Sequence, residues 1–176
     1  DYVPLDQQDV ALWRRDLIAE GEALLRAASR AGRIGRYQLE AAVQSAHAAR
    51  LDRGEADWAA IALLYQALAK LTGAAPAHLN AAAAIARRDG AQAGLAAAEA
   101  ALARFAALNS YQPYWALRAD LLAQLGRHAR ARAAYDEAIA RRRAIAQRYH
   151  DALKDVDGAR LPPAPDADPR YFDIYQ

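Results

Sequence analysis

Apolar side chains recur along this chain at intervals of three and four residues, the spacing that places them on one face of an α-helix. Trp58, Ile61, Leu64, Tyr65 and Leu68 follow this spacing closely. Alanine is abundant, β-branched residues are few, and Gly and Pro are confined to short stretches between the periodic segments. Because alanine is the strongest helix former, the sequence predicts an all-α fold.

The pattern changes at Gly126. Trp115, Ala119 and Leu122 stand at i, i+4 and i+7, and a second stripe follows beyond the glycine. If one continuous helix ran through both segments, the two stripes would not form one continuous apolar face. Because only glycine enters the left-handed backbone region at little cost, Gly126 is a natural stop for a helix. The sequence therefore predicts two helices that fold back on each other here.

Seven helices are predicted in this way. The first spans residues 7–31 with Asp6 as its N-cap, and the second spans residues 37–51. The third begins after Asp57, the fourth and fifth span residues 76–88 and 91–106, and the last two flank Gly126. The seventh ends near Leu153, before a stretch with four prolines that excludes a helix. We therefore predict a helical domain over residues 1–153 and an acidic, proline-rich tail over residues 154–176.

The few large side chains are expected to anchor a core that is otherwise rich in alanine, since each alanine buries little area. These predicted anchors are Trp13, Tyr37, Trp58, Tyr65, Phe105, Trp115 and Tyr135.

Gly54, Gly90 and Gly126 lie 36 residues apart, and each follows one predicted helix and precedes its partner. This period is close to the roughly 34 residues of tetratricopeptide repeats, which are antiparallel helix pairs. The resemblance implies antiparallel helix pairs stacked as a short tetratricopeptide-like superhelix with a concave groove. Chance spacing of the glycines is the alternative.

First helices line the concave side of such superhelices. On that register, five polar residues are candidate groove contacts that could hydrogen-bond the backbone of a bound peptide. They are Gln44 and Ser45 in the second helix, Asn80 in the fourth, and Asp120 and Gln124 in the sixth. Ordinary solvent exposure is the alternative interpretation of the same residues.

The net charge of +2 hides an asymmetry between the last helix and the tail. Residues 111–150 carry a balance of +5 and residues 151–176 a balance of −3. Three interpretations stay open: a solvated helix face, contact with nucleic-acid phosphates, and docking of the acidic, aromatic tail on the basic helix. The candidate basic face consists of Arg127, Arg130, Arg132, Arg141, Arg142, Arg143 and Arg148.

The sequence offers no chemistry typical of an enzyme. There is no cysteine, and none of the four histidines has a second ligand at i+3 or i+4. We found no acid/base pair or activated nucleophile, so we predict no catalysis, cofactor or metal. No apolar run approaches the roughly 20 residues of a membrane span, and no signal peptide is visible, which predicts a cytoplasmic protein without a membrane partner. The absence of methionine, even at position 1, predicts a piece of a longer protein.

Five blocks in order resemble the helical C-terminal extension of bacterial extracytoplasmic-function (ECF) sigma factors with tetratricopeptide-like C-terminal domains. The blocks are "LDQQDVALWRRDLIAEGEALL", "GRYQLEAAVQSAHAA", "DWAAIALLYQALAKL", "PAHLNAAAAIARRDGAQAGL" and "RADLLAQLGRHARARAAYDEAI". The resemblance implies a regulatory domain that contacts its own sigma domains or RNA polymerase. Nothing in the chain resembles the DNA-reading sigma domains, so DNA contact is not expected. The family's usual ending is replaced here by the Arg-rich extension and the acidic tail.

Two other functions are compatible with the residues. A free-standing helical-repeat adaptor would bind a peptide in its groove. A nucleic-acid-binding helical protein would use the Arg-rich last helix instead, and its affinity would fall steeply with salt.

Overall fold

The computed structural model describes Val3, residues 5–156 and Gly158, and within these residues it contains helices and turns but no strand. The predicted all-α fold is confirmed. Two short 3-10 helices, Leu5–Gln7 and Val10–Leu12, come first. The α-helices that follow are α1 Arg15–Arg30, α2 Arg36–Ala48, α3 Arg50–Arg53, α4 Trp58–Thr72, α5 Ala75–Asp89, α6 Ala91–Arg104, α7 Gln112–Gln124 and α8 His128–Leu153.

The prediction for the first helix was wrong at its start. Asp9 caps a 3-10 helix there, because its carboxylate accepts a hydrogen bond of 2.9 Å from the Ala11 amide. Trp13 then adopts an extended backbone (φ −75°, ψ 141°), which interrupts any helix, and α1 begins at Arg15. The predicted cap, the side chain of Asp6, lies outside the described residues.

The other boundaries follow the prediction closely, although the second predicted helix is divided into α2 and the single turn α3. Asp57 caps α4, since its carboxylate accepts a hydrogen bond of 2.9 Å from the Ala60 amide. The segment after α6, predicted as a break, contains a 3-10 helix, Ala106–Ser110.

The predicted turn at Gly126 is confirmed. Gly126 has a left-handed backbone (φ +70°), and its amide donates to the Ala123 carbonyl at 2.9 Å. The Arg127 amide donates to the Leu122 carbonyl, also at 2.9 Å, which closes the end of α7 in a Schellman-type turn. Gly54 and Gly90 have positive φ as well, at +79° and +94°. The glycines of the 36-residue period therefore end helices, and each is followed by the helix that packs back.

The helices form two compact units, Asp1–Phe105 and Ala106–Gln176. In the first unit each long helix packs on the next: α1 on α2, α2 on α4, α4 on α5, and α5 on α6. In the second unit α7 packs on α8, and the 3-10 helix before α7 packs on α7. Both units thus consist of adjacent antiparallel helix pairs, as in a helical-repeat protein. The boundary at Phe105 was not predicted from the sequence.

Small aliphatic side chains, not rings, form most of the buried core. The core of the first unit includes Val43, Ile61, Ala62, Leu79, Ala82, Leu95 and Ala98. Of the predicted anchors, Tyr37 is 80% exposed and Tyr135 is 42% exposed, so the prediction was wrong for both. The other five are only half-buried, whereas Tyr114, which was not predicted, is fully buried.

Gly94 in α6 lies very close to α5. A Cβ atom at this position would lie 2.3 Å from the Ala86 Cβ and 3.1 Å from the Ala82 carbonyl oxygen, both in α5. Such distances are far below van der Waals contact, so only glycine fits without moving the helices apart. Gly21 in α1 is the opposite case, because a Cβ there would have no atom within 4 Å.

These two glycines give a matched test of the packing. We expect Gly94→Ala to destabilise the first unit by about 1–3 kcal/mol, because α5 and α6 must separate. Gly21→Ala, in an open helical position, should instead stabilise by about 0.5–1 kcal/mol. Urea unfolding followed by circular dichroism measures both changes. Equal effects of the same sign would contradict the close approach of α5 and α6.

Candidate functional site

A cleft of about 270 Å³ lies between α1 and α2. Ile18 and Leu25, seven residues apart on α1, line it together with Gly21 and Glu22. From α2 the lining residues are Ala41, Gln44, Ser45 and Ala48. The cleft is therefore mostly apolar with a few polar groups, a composition typical of sites that bind peptide or helix side chains.

The structure brings together two of the predicted groove residues in this cleft, Gln44 and Ser45. Asn80 is exposed on α5 in the same unit but is not among the cleft residues. Asp120 and Gln124 lie in the second unit, on the exposed side of α7. Gln124 Nε2 donates a hydrogen bond of 2.7 Å to the Asp120 carboxylate, so these two polar groups partly satisfy each other.

The outer side of α1 is apolar as well. No residue of α1 is buried, and Leu17 and Leu24 are 55% and 65% exposed. They lie next to Ile18 and Leu25, so the apolar stripe of α1 is wider than the part that α2 covers. Helical stacks that end in solvent normally present a polar outer face. The outer side of α1 has the composition of an interface instead.

A second cavity of about 370 Å³ lies beside Trp58, and it was not predicted from the sequence. Arg53, Arg87 and Arg88 line it together with Glu55 and Asp57. The Arg87 guanidinium lies 4.7 Å from the centre of the Trp58 ring. The His47 ring packs edge-on against the same indole at 5.4 Å. The α4–α5 hairpin places the end of α5 beside the start of α4, which no local pattern signals.

Much of the charge in this cavity is compensated. Arg53 forms an ion pair of 3.3 Å with Asp57, the cap of α4, and Arg88 pairs with Asp89 at 2.6 Å. The Asp89 carboxyl has a lowered pKa because of its hydrogen bond from Arg88. Both pairs join residues within four positions in the sequence, and the cavity has no strong excess of either charge.

The seven arginines of the candidate basic face do not lie on one side of the last helix. An α-helix turns about 100° per residue, so Arg132 and Arg143 share one side and Arg130 and Arg148 share the other. All four are exposed. Such a distribution does not form a single stripe for one phosphate backbone.

The Arg141 side chain makes several contacts within the second unit. Its Nε donates to the Asn109 carbonyl at 2.9 Å, and its Nη1 donates to the Glu137 carbonyl at 3.0 Å and also to the Glu137 carboxylate. The guanidinium lies 4.7 Å from the centre of the Trp115 ring, whose indole N–H donates to the same Asn109 carbonyl. The Arg141 side chain is only 21% exposed, and these contacts join α8 to Asn109 and Trp115 within the second unit.

Two histidines of the first unit have lowered pKa values. Burial is the main cause for His47, with a smaller contribution from Arg50. Burial also dominates the lowered pKa of His78, and Arg104 adds to it. The His78 ring lies 4.9 Å from that of Phe105, and its Nε2 is buried without a hydrogen-bond partner among the described residues.

Within the described part of the chain, no group of three or more His, Cys, Asp or Glu residues could hold a metal ion. None of the described helices is both long and apolar enough to cross a membrane.

Comparison with known proteins identifies a relative but not a family. The chain is 45% identical over 139 residues to an uncharacterized protein of Rhizobium meliloti (strain 1021). The matched residues make up 78% of this chain and 32% of the relative, so the chain spans about a third of the length of the curated relative it matches. No protein-family model matches the chain, and no solved structure matches it.

Removal of Arg141 tests its structural position. We expect Arg141→Ala to destabilise the second unit by about 1–2 kcal/mol, since it removes hydrogen bonds and an indole contact in one step. Arg148→Ala, at an exposed position, should change the stability by less than about 0.5 kcal/mol. Denaturant unfolding followed by Trp115 fluorescence in a variant without the other tryptophans gives both values. Equal effects of the two variants would contradict a structural role for Arg141.

We expect His78 to make the first unit less stable in acid. Its pKa is lowered in the folded state, so the unfolded chain binds more protons just below the ordinary value of 6.5. The associated stability is therefore fully present above about pH 6.5 and is lost as the pH falls towards the lowered folded pKa. His47 shifts in the same direction.

We expect His78→Gln to flatten the decline of stability between about pH 7 and pH 5, measured by thermal unfolding. Gln66→Asn, at an exposed position of α4 that carries no titrating group, is the control and should leave the decline unchanged. A decline of the same slope in the His78 variant would rule out its contribution.

Proposed function

We propose that this chain is the helical regulatory region of an ECF sigma factor and that it acts by protein contact. One structural observation carries the proposal: α1 has no buried residue and exposes an apolar side beside the α1–α2 cleft. An exposed apolar patch next to a cleft is characteristic of protein interaction sites. The five blocks that resemble the ECF extension support the family, and the first of them includes most of the apolar side of α1.

The proposed partner is the sigma domains of the same protein, or the polymerase that they bind. The Rhizobium relative is about three times as long as the matched segment, which leaves room for such domains in a protein of this kind. A helix that packs on Leu17, Leu24 and the cleft would continue the helical stack of the first unit, in which each long helix packs on the next. The binding free energy would favour one arrangement of the sigma domains and so change how often the polymerase starts transcription.

The test uses the full natural protein in a reconstituted transcription assay. We expect Leu17→Asp/Leu24→Asp to weaken the contact between the helical region and its partner by about 2 kcal/mol, roughly 30-fold in affinity, because two apolar anchors are lost. The rate of promoter-directed transcription should change with it. Ala19→Asp adds a charge on the opposite, exposed side of α1 and serves as the control. If all three proteins give the same transcription rate and affinity, the proposal is wrong.

A helical-repeat adaptor is the second candidate, favoured by Gln44 and Ser45 in the cleft. Their polar groups could hydrogen-bond a peptide backbone in the middle of an apolar lining. An adaptor would bind a peptide in the absence of any sigma domain, and Gln44→Ala would weaken that binding without an effect on transcription.

A further inference from the structure

The last helix is much longer than the helix on which it packs. At about 1.5 Å per residue, the 26 residues of α8 extend about 39 Å, whereas the 13 residues of α7 extend about 20 Å. The two helices meet at the Gly126 turn, so α7 covers only the first half of α8. The second half of α8 extends beyond its partner within the unit.

Burial along α8 confirms where this coverage ends. The buried residues of α8 are Ala131, Ala134 and Ala138. Further along the helix, Arg141 still contacts its own unit, through a hydrogen bond to the Asn109 carbonyl and through the Trp115 ring. Between residues 142 and 153, all of which the structure describes, no residue is buried. Ala146, Gln147 and His150 are partly buried and the other nine residues are exposed, so this half-helix is largely open within its own unit.

The exposed half nevertheless carries an apolar stripe. Ile145, Tyr149 and Leu153 are spaced by four residues and so lie along one side, with exposed fractions of 38%, 66% and 38%. A half-helix that contacted only water would gain nothing from this spacing. Basic side chains accompany the stripe at Arg142, Arg143 and Arg148.

The chain that follows has the complementary composition. The helix ends in a turn, in which the Lys154 amide donates to the His150 carbonyl at 2.9 Å and the Val156 amide donates to the Leu153 carbonyl at 3.0 Å. Gly158 has a left-handed backbone (φ +77°), which suits a reversal of chain direction. Residues 159–176 lie outside the described residues, and their sequence, "ARLPPAPDADPRYFDIYQ", combines aromatic and aliphatic residues with three aspartates and two arginines.

Length permits this segment to return along α8. Its 18 residues can extend up to about 60 Å, whereas the exposed half of α8 is only about 18 Å long. Its prolines exclude a helix but are compatible with an extended segment.

We propose that residues 159–176 pack along the second half of α8. Tyr171, Phe172 and Ile174 cover the stripe of Ile145, Tyr149 and Leu153, while the aspartates lie near the arginines. The segment then covers the second half of α8, as α7 covers the first half. This interaction surface is independent of the proposed sigma-factor function.

Hydrogen exchange of the full chain, measured by mass spectrometry, tests this interaction. In the unmodified protein we expect the amides of residues 170–176 to exchange at least about tenfold more slowly than in a free peptide of the same sequence. Tyr149→Asp should abolish this protection, because it places a charge in the apolar stripe. Ala144→Asp adds the same charge to the same half of α8 on another side, and it should leave the protection intact. Circular dichroism checks that α8 stays helical in both variants.

Three results would overturn the proposal. The first is exchange of residues 170–176 at the free-peptide rate in the unmodified protein. The second is equal loss of protection in the Tyr149 and Ala144 variants, with α8 intact. The third is protection that increases with protein concentration, since the stripe would then be covered by a second copy of the chain. Partial loss of protection at about 0.5 M salt, with the remainder retained, would support contacts between the aspartates and arginines.

Discussion

The close approach of helices through small side chains is the constraint on which this structure depends. Gly94 lies so near Ala86 that even a methyl group has no space, and Ala82 and Ala98 are fully buried beside it. Close packing of this kind gives many weak contacts in place of a few large ones. It also leaves little room for rings: among the aromatic side chains that the structure describes, Tyr114 alone is fully buried.

The local features of the fold could be predicted from the sequence because they depend on local causes. Helical spacing, the start of α4 after Asp57 and the glycine turns involve residues only a few positions apart, and the structure has them where they were expected. The start of α1 was mispredicted because Asp9 caps a competing 3-10 turn. The burial of Tyr37 and Tyr135 was mispredicted because it depends on which helix faces them, which periodicity does not specify.

The candidate sites show the same division. Gln44 and Ser45, which the repeat register placed among the groove candidates, line the α1–α2 cleft, whereas Asn80, selected by the same register, does not. The environment of Trp58 could not be predicted, since Arg87 reaches it only through the α4–α5 hairpin. The arginines of α8 form a dense cluster in the sequence, yet helical rotation distributes them around the axis. In each unit, one helix has an apolar side that the other described helices of that unit do not cover. This helix is α1 in the first unit, and in the second unit it is the end of α8.

Each of the three tryptophans has an arginine against its ring. The distances run from the guanidinium carbon to the centre of the indole ring. In the first unit they are 5.7 Å for Arg50 and Trp13 and 4.7 Å for Arg87 and Trp58. In the second unit the distance is 4.7 Å for Arg141 and Trp115. Indole emission responds to nearby charge and to water, so these contacts make every tryptophan an optical reporter of its own surroundings. Replacing two of the three by phenylalanine would leave a chain that reports on one place at a time. The α2–α4 junction, the N-terminal turns and the α7–α8 hairpin could then be observed separately in the same molecule.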